Sequence, residues 1–179
     1  MSGIIERALT YDMDKDAQLE YLMLRFGKQV YKLAYYYLRD KHQAEDIYQE
    51  VFIRVYNNLD KFRKESSYYT WIYRITVNLC KDYYKSAAFR RLISVGIFDD
   101  CRFSREMNKL FEEIEGGEVF AAVMNLPTKY RLPISLYYFE GLSIPEIADI
   151  LKVSENNIKV RLHRGREKLK TLLSREDLI

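Results

Sequence analysis

The sequence predicts an all-α protein built as two small helical domains joined by a linker, the C-terminal one containing a helix-turn-helix. Three observations carry this prediction. Glycine and proline are scarce, at 7 and 3 of 179 residues. Apolar residues recur at three- and four-residue spacing over long stretches, the period of an amphipathic helix. Residues 143–173 hold two helix starts close together, the second opening a strongly basic helix.

Taken in chain order, residues 19–39 read as a first helix, with Leu22, Phe26, Val30, Leu33, Ala34 and Tyr37 on its apolar stripe. Gly27 interrupts the stripe, so a bend or break is expected there. Asp40-Lys41-His42 is a polar joint. Residues 43–59 form a second helix whose core stripe is Ala44, Ile47, Val51, Val55 and Leu59, with Phe52 on one margin. Its far face carries Asp46, Gln49, Glu50, Ile53 and Asn57. Two readings of that face stand: a solvated surface, or a docking patch for a basic protein partner, since an isoleucine ringed by carboxylates and amides has no internal use.

Phe62 to Ser67 has loop character, and Ser67 can cap the next helix. That helix buries Ile72, Ile75, Thr76, Leu79 and Tyr83, and leaves Tyr73, Arg74, Val77, Lys81, Tyr84 and Lys85 facing elsewhere. Aromatic rings interleaved with cations beside a loop suit single-stranded nucleic acid, because rings stack on bases while cations follow the phosphates. Trp71 has two readings, a base-stacking ring and a core side chain. Residues 86–118 lack a long stripe and read as a linker, with a short helix at 105–114.

After a helix near residues 119–124 and another through 131–138, Ser143-Ile144-Pro145-Glu146 opens the helix-turn-helix as a capping box with proline in its first turn. Ser154 caps its second helix. At about 100° per residue, Ile158, Leu162, Gly165 and Leu169 share one face, expected against Ile147, Ile150 and Leu151. Asn156, Val160, His163, Arg164 and Glu167 project the other way, flanked by Lys159, Arg166 and Lys170 on one side and Arg161 and Lys168 on the other. Such a strip suits the major groove, with cations on phosphates and the outer face on base edges. The alternative is a solvated basic helix. Gly165 argues against it, because a buried helical glycine marks close approach of a second helix.

The formal net charge is only +3, so nucleic-acid affinity must come from local patches. Cys80 and Cys101 form no metal-ligand or disulfide framework, and Cys80 reads as a small core residue. No secretory signal or membrane span is expected, which points to a cytoplasmic protein. With two isolated histidines and no glycine-rich phosphate loop, no catalytic site, metal site, cofactor or small-molecule substrate is expected.

Two segments, QAEDIYQEVFIRVYNNLDKFRKESSYYTWIYRITVNLCKDYYK and LPTKYRLPISLYYFEGLSIPEIADILKVSENNIKVRLHRGREKL, resemble the promoter-melting and carboxy-terminal domains of bacterial RNA polymerase sigma factors. The short length and direct linker resemble the extracytoplasmic-function (ECF) group of the sigma-70 family. The resemblance implies a non-enzymatic factor that binds core RNA polymerase, recognises −10 and −35 promoter elements and promotes melting for a stress- or envelope-related regulon. It implies residues 1–88 as the melting and polymerase-binding domain, 89–116 as linker and 117–179 as the −35-reading domain. Asp46, Gln49 and Glu50 fall where the family docks on the β′ clamp helices, which gives Ile53 and Asn57 a purpose; the β flap is the other implied polymerase contact. Phe62, Lys64, Ser66, Tyr68, Arg74 and Asn78 match positions that bind the non-template strand, joined by Trp71 and Lys81 on the same helix. Lys159, His163 and Arg164 match −35-contacting positions, with Asn156, Asn157, Val160, Arg161, Arg166 and Lys168 beside them. Many relatives have Gly-Thr in place of Asn156-Asn157 and a hydroxyl residue in place of Val160, so the −35 preference is expected to differ. An anti-sigma factor, often membrane-spanning, is the implied regulator. The competing reading is an ordinary helix-turn-helix regulator, which would need no docking face on the second helix.

Overall fold

The computed structural model describes residues 13–62, 67–86 and 117–176, with side chains to 174. Among them are seven α-helices: α1 (Lys15–Leu38), α2 (Lys41–Asn58), α3 (Tyr68–Lys85), α4 (Glu118–Asn125), α5 (Thr128–Tyr138), α6 (Ile144–Leu151) and α7 (Glu155–Glu176); a 3₁₀ turn at Leu59–Lys61 follows α2. Lys64, Ser66, Cys101, most of the linker and the expected helix at 105–114 lie outside the described residues.

Local chemistry fixes the helix starts. Asp14, Asp40 and Ser67 each accept a backbone N–H from three residues ahead, capping α1, α2 and α3. At α6, Ser143 N–H donates to the Glu146 carboxylate at 2.9 Å, with Pro145 in the first turn. Ser154 Oγ accepts from Asn157 N at 3.3 Å and caps α7.

The first three helices pack around Leu22, Phe26, Val30, Ala44, Ile47, Val51, Phe52, Val55, Ile72 and Leu79, with Cys80 fully buried among them. Gly27 does not break α1, which runs unbroken across it. Its missing side chain admits the Tyr48 ring instead: a Cβ there would lie 3.1 Å from the Tyr48 hydroxyl. Gly165 has the expected close-approach role, but its nearest neighbours belong to α5 rather than to the expected α6 residues. A Cβ on it would meet Ile134 Cγ1 at 2.9 Å.

The second core crosses between the two halves. Leu33 and Tyr36 of α1 and Tyr73 and Val77 of α3 pack with Phe120, Val123, Ile134, Leu136, Ile147 and Ile150. Tyr73 and Val77, expected outside the core, are 0% exposed. Their face of α3 looked surplus because the first three helices do not use it; α6 covers it.

Arg131 ties this interface together and is itself 2% exposed. The left-handed cap at Arg39 leaves the Tyr36 and Tyr37 carbonyls at the end of α1 without helical partners. Arg131 supplies them: Nε donates to Tyr36 O at 2.6 Å and Nη2 to Tyr37 O at 3.0 Å. Its remaining donors serve Met124 O, Leu126 O and Thr128 Oγ1, so the full guanidinium fork is used. Burial lowers its pKa to about 10, which leaves it charged at neutral pH. Lys32 and Tyr36 reach Glu140 at 3.6 and 3.2 Å, and Arg39 donates to Asn125 at 3.1 Å.

Candidate nucleic-acid and polymerase interfaces

The basic helix α7 buries Ile158, Leu162 and Gly165 and turns its other side outward. Asn156, Asn157, Lys159, Val160, His163, Arg164, Arg166 and Lys168 are exposed, and Arg161 is half-buried. Val160, at 47%, is an exposed apolar side chain in the middle of the strip. Two flanking cations lean toward α5: Arg166 Nη1 donates to the Tyr138 hydroxyl at 3.4 Å, and Lys168 Nζ lies 5.9 Å from the Tyr130 ring centre. His163, Arg164 and Lys159 reach no described partner and remain the strip's outward hydrogen-bonding groups.

On α3 the outward row is Trp71, Arg74, Asn78 and Lys81. Asn78 is exposed, and the other three are half-buried. Trp71, Ile75 and Asn78 line a recess of about 250 Å³ with Arg54, Asn58 and Lys61. Helical spacing puts Arg54 and Asn58 on the edge of α2 that meets α3, a signal that the apolar stripe hid. Arg54 is held by Glu50 at 2.9 Å, and its carbonyl accepts from the Asn58 amide at 2.8 Å.

The aromatic residues divide between support and display. Phe62 stacks on Tyr68 at 4.6 Å and meets Trp71 at 4.7 Å. Tyr68, expected to face the strand, is 7% exposed and belongs to the core. With its ring covered by Phe62 it joins the end of the 3₁₀ turn to the start of α3 and offers no stacking face. Phe62 is half-buried in the same cluster. Trp71 is half-buried, packed against Phe62 on one side and lining the recess on the other. Arg74, also expected to face the strand, is ion-paired with Asp149 of α6.

The far face of α2 is exposed at Asp46, Gln49 and Asn57, with Ile53 at 55%; Glu50 is half-buried against Arg54. Beside it runs an apolar groove of about 450 Å³, lined chiefly by Leu19, Met23, Tyr48, Phe52, Ile53 and Tyr56. Desolvation by neighbouring groups raises the Asp46 carboxyl above the ordinary aspartate range although its side chain is exposed, and His42 opposes that shift. Among the described residues no histidine, cysteine and carboxylate cluster could hold a metal ion, and no helix is long and apolar enough to cross a membrane.

A three-helix bundle followed by a helix-turn-helix is an architecture of DNA-binding transcription factors. The Sigma-70 region 2 model matches residues 22–90 and the Sigma-70 region 4 model residues 117–169. The ECF RNA polymerase sigma factor SigW of Bacillus subtilis is 33% identical over 178 residues, covering 89% of this chain and 90% of the relative. The ECF RNA polymerase sigma-E factor of Escherichia coli is 32% identical over 156 residues, 82% of this chain and 81% of the relative. Among solved structures, CnrH in complex with the cytosolic domain of CnrY superposes with a TM-score of 0.68 at 22% identity, covering 97% of this chain and 98% of that one. RpoE in complex with the anti-sigma factor NepR from Bartonella quintana gives 0.66 at 22% identity, over 89% and 98%. The chain belongs to the ECF sigma factors of the sigma-70 family, non-enzymatic factors of transcription initiation.

Proposed function

We propose that this sigma factor grips a promoter at two points, with α7 reading the −35 element and α3 taking the non-template strand of the −10 element. The observation that carries the reading is the contrast in outward chemistry. α7 offers side-chain donors and an exposed Val160 methyl surface suited to base edges and a thymine methyl. The recess at Trp71 and Asn78 joins an aromatic wall to Arg54 and Lys61, as an unstacked base and its phosphates require. Residues 1–88 would form the melting and polymerase-binding unit and 117–179 the −35-reading unit. Asp46, Gln49, Ile53 and Asn57 would meet the β′ clamp helices, and the C-terminal unit the β flap. An anti-sigma factor, of the kind bound in the superposing NepR complex, would hold the protein inactive in the cytoplasm until a stress or envelope signal releases it.

The test is transcription of genomic DNA by purified core polymerase with and without the chain, with start sites mapped. Selective initiation at sites sharing paired −10 and −35 sequences is expected. An ordinary helix-turn-helix regulator would bind duplex DNA but would not confer start-site selectivity on core enzyme or form a complex with it.

A further inference from the structure

Arg74 lies in the outward row of α3 beside Asn78 and Lys81, but its guanidinium is already occupied. Nη2 donates to Asp149 Oδ1, and Nε reaches the Asp149 carbonyl at 3.4 Å. Asp149 comes from α6, the first helix of the helix-turn-helix, and Lys152 shares its carboxylate at 3.1 Å. A carboxylate taken by a guanidinium offers the same charge and acceptor oxygens as a backbone phosphate.

We propose that Asp149 stands in for a strand phosphate at Arg74, so that the C-terminal half of the free chain withholds an anchoring cation from single-stranded DNA until the halves separate. The inference rests on the reading of α3 as the strand-binding helix.

Asp149 is delivered to this position by a packed interface. Tyr73 and Val77, the residues on either side of the Arg74 turn, are buried against the C-terminal half. The Glu140 cluster and the Arg131 fork fix the same two surfaces elsewhere. The Asp149 carboxyl is held below the usual aspartate range, chiefly by the hydrogen bond from Arg74 and further by Lys152, so it is ionised across physiological pH. Asn78 is exposed, and Trp71 and Lys81 are half-buried with no ion pair among the described residues, so what is withheld is one charge and its directed bonds. The rest of the face stays open.

The test uses the full chain and a fluorescently labelled oligothymidylate, a probe for backbone contact without base preference, followed by anisotropy. Asp149→Asn is expected to tighten binding about tenfold by freeing a charge-assisted phosphate contact. Adding Arg74→Ala to Asp149→Asn should abolish the gain. Glu140→Gln, which weakens the same interface away from Arg74, should give a distinctly smaller gain. The proposal is overturned if Asp149→Asn binds no tighter than the parent chain, if the gain survives loss of Arg74, or if Glu140→Gln matches it. A parallel measurement of promoter opening by the Arg74→Ala and Asn78→Ala holoenzymes separates the two levels. Normal opening by both would sink the α3 reading itself. Impaired opening with an unchanged Asp149→Asn would sink only the role of Asp149.

Discussion

The two helices assigned to DNA are both long, amphipathic and basic, yet they meet the rest of the molecule differently. α7 touches protein along one side, through Ile158, Leu162 and Gly165, and leaves the opposite side to solvent. α3 is packed on two sides: Ile72 and Leu79 face the N-terminal bundle, while Tyr73 and Val77 face the C-terminal half. Its outward row is therefore a narrow edge, and one member of that row is paired with Asp149. Groups that read a duplex are mostly hydrogen-bonding side chains, which rest comfortably in water, with small apolar contacts such as Val160 among them. A helix that takes an unstacked base needs aromatic surface, which is unfavourable to expose. Packing that surface into neighbours while keeping Trp71 and Asn78 at a rim meets both demands.

The largest effect that would test this arrangement falls at Arg131. Arg131→Met leaves the Tyr36, Tyr37, Met124 and Leu126 carbonyls short of a donor and should cost about 3 kcal/mol or more, read as a lowered urea midpoint. If the loss is below about 1 kcal/mol, the two halves are not held by this fork. Gly165→Ala comes next. Helix propensity alone would favour alanine by about 1 kcal/mol, but the new methyl meets Ile134 in a closed space. The net outcome should be a destabilisation of about 1–2 kcal/mol, seen in thermal melts together with weaker binding to −35 duplex.

Ile53→Asp sharpens the contrast between packed and presented surfaces. Because Ile53 is exposed, folding stability should change by no more than about 0.5 kcal/mol. Affinity for core polymerase should fall about tenfold or more by competition binding, since the apolar groove loses its rim. The smallest effect concerns Asp149. Its depressed pKa means that its contribution to the closed packing is complete above the ordinary aspartate value of 3.8 and is lost as pH falls below that value. Asp149→Asn should therefore flatten the acid limb of the stability–pH curve slightly, with no change near neutral pH beyond a constant offset.

Much of this molecule was legible in its sequence. The serine caps at Ser67 and Ser154, the capping box at Ser143 and the stripes of α1 and α2 follow from local rules that the tertiary structure does not override. The outward strip of α7 was legible for the same reason, since one buried face fixes the opposite one. The failures cluster where long-range packing decides. Tyr73 and Val77 looked surplus because their partners lie some seventy residues on. Tyr68 looked available because stacking by Phe62 has no sequence signature. Gly27 looked like a break because nothing local announces the Tyr48 ring that needs its space. Arg131 carried no signal at all: its role depends on orphan carbonyls at the end of a helix in the other half.

The division of labour between the two helices is tested most directly by holoenzyme on a promoter carrying a fluorescent adenine analogue in its −10 element, with complex formation and base unstacking recorded together. Asn78→Ala should form promoter complexes at near-normal concentration yet unstack the reporter about tenfold more slowly or less completely. Arg164→Ala should need about tenfold more holoenzyme to form complexes, but should unstack the reporter normally once bound. Equal losses at both steps in both variants would contradict the account.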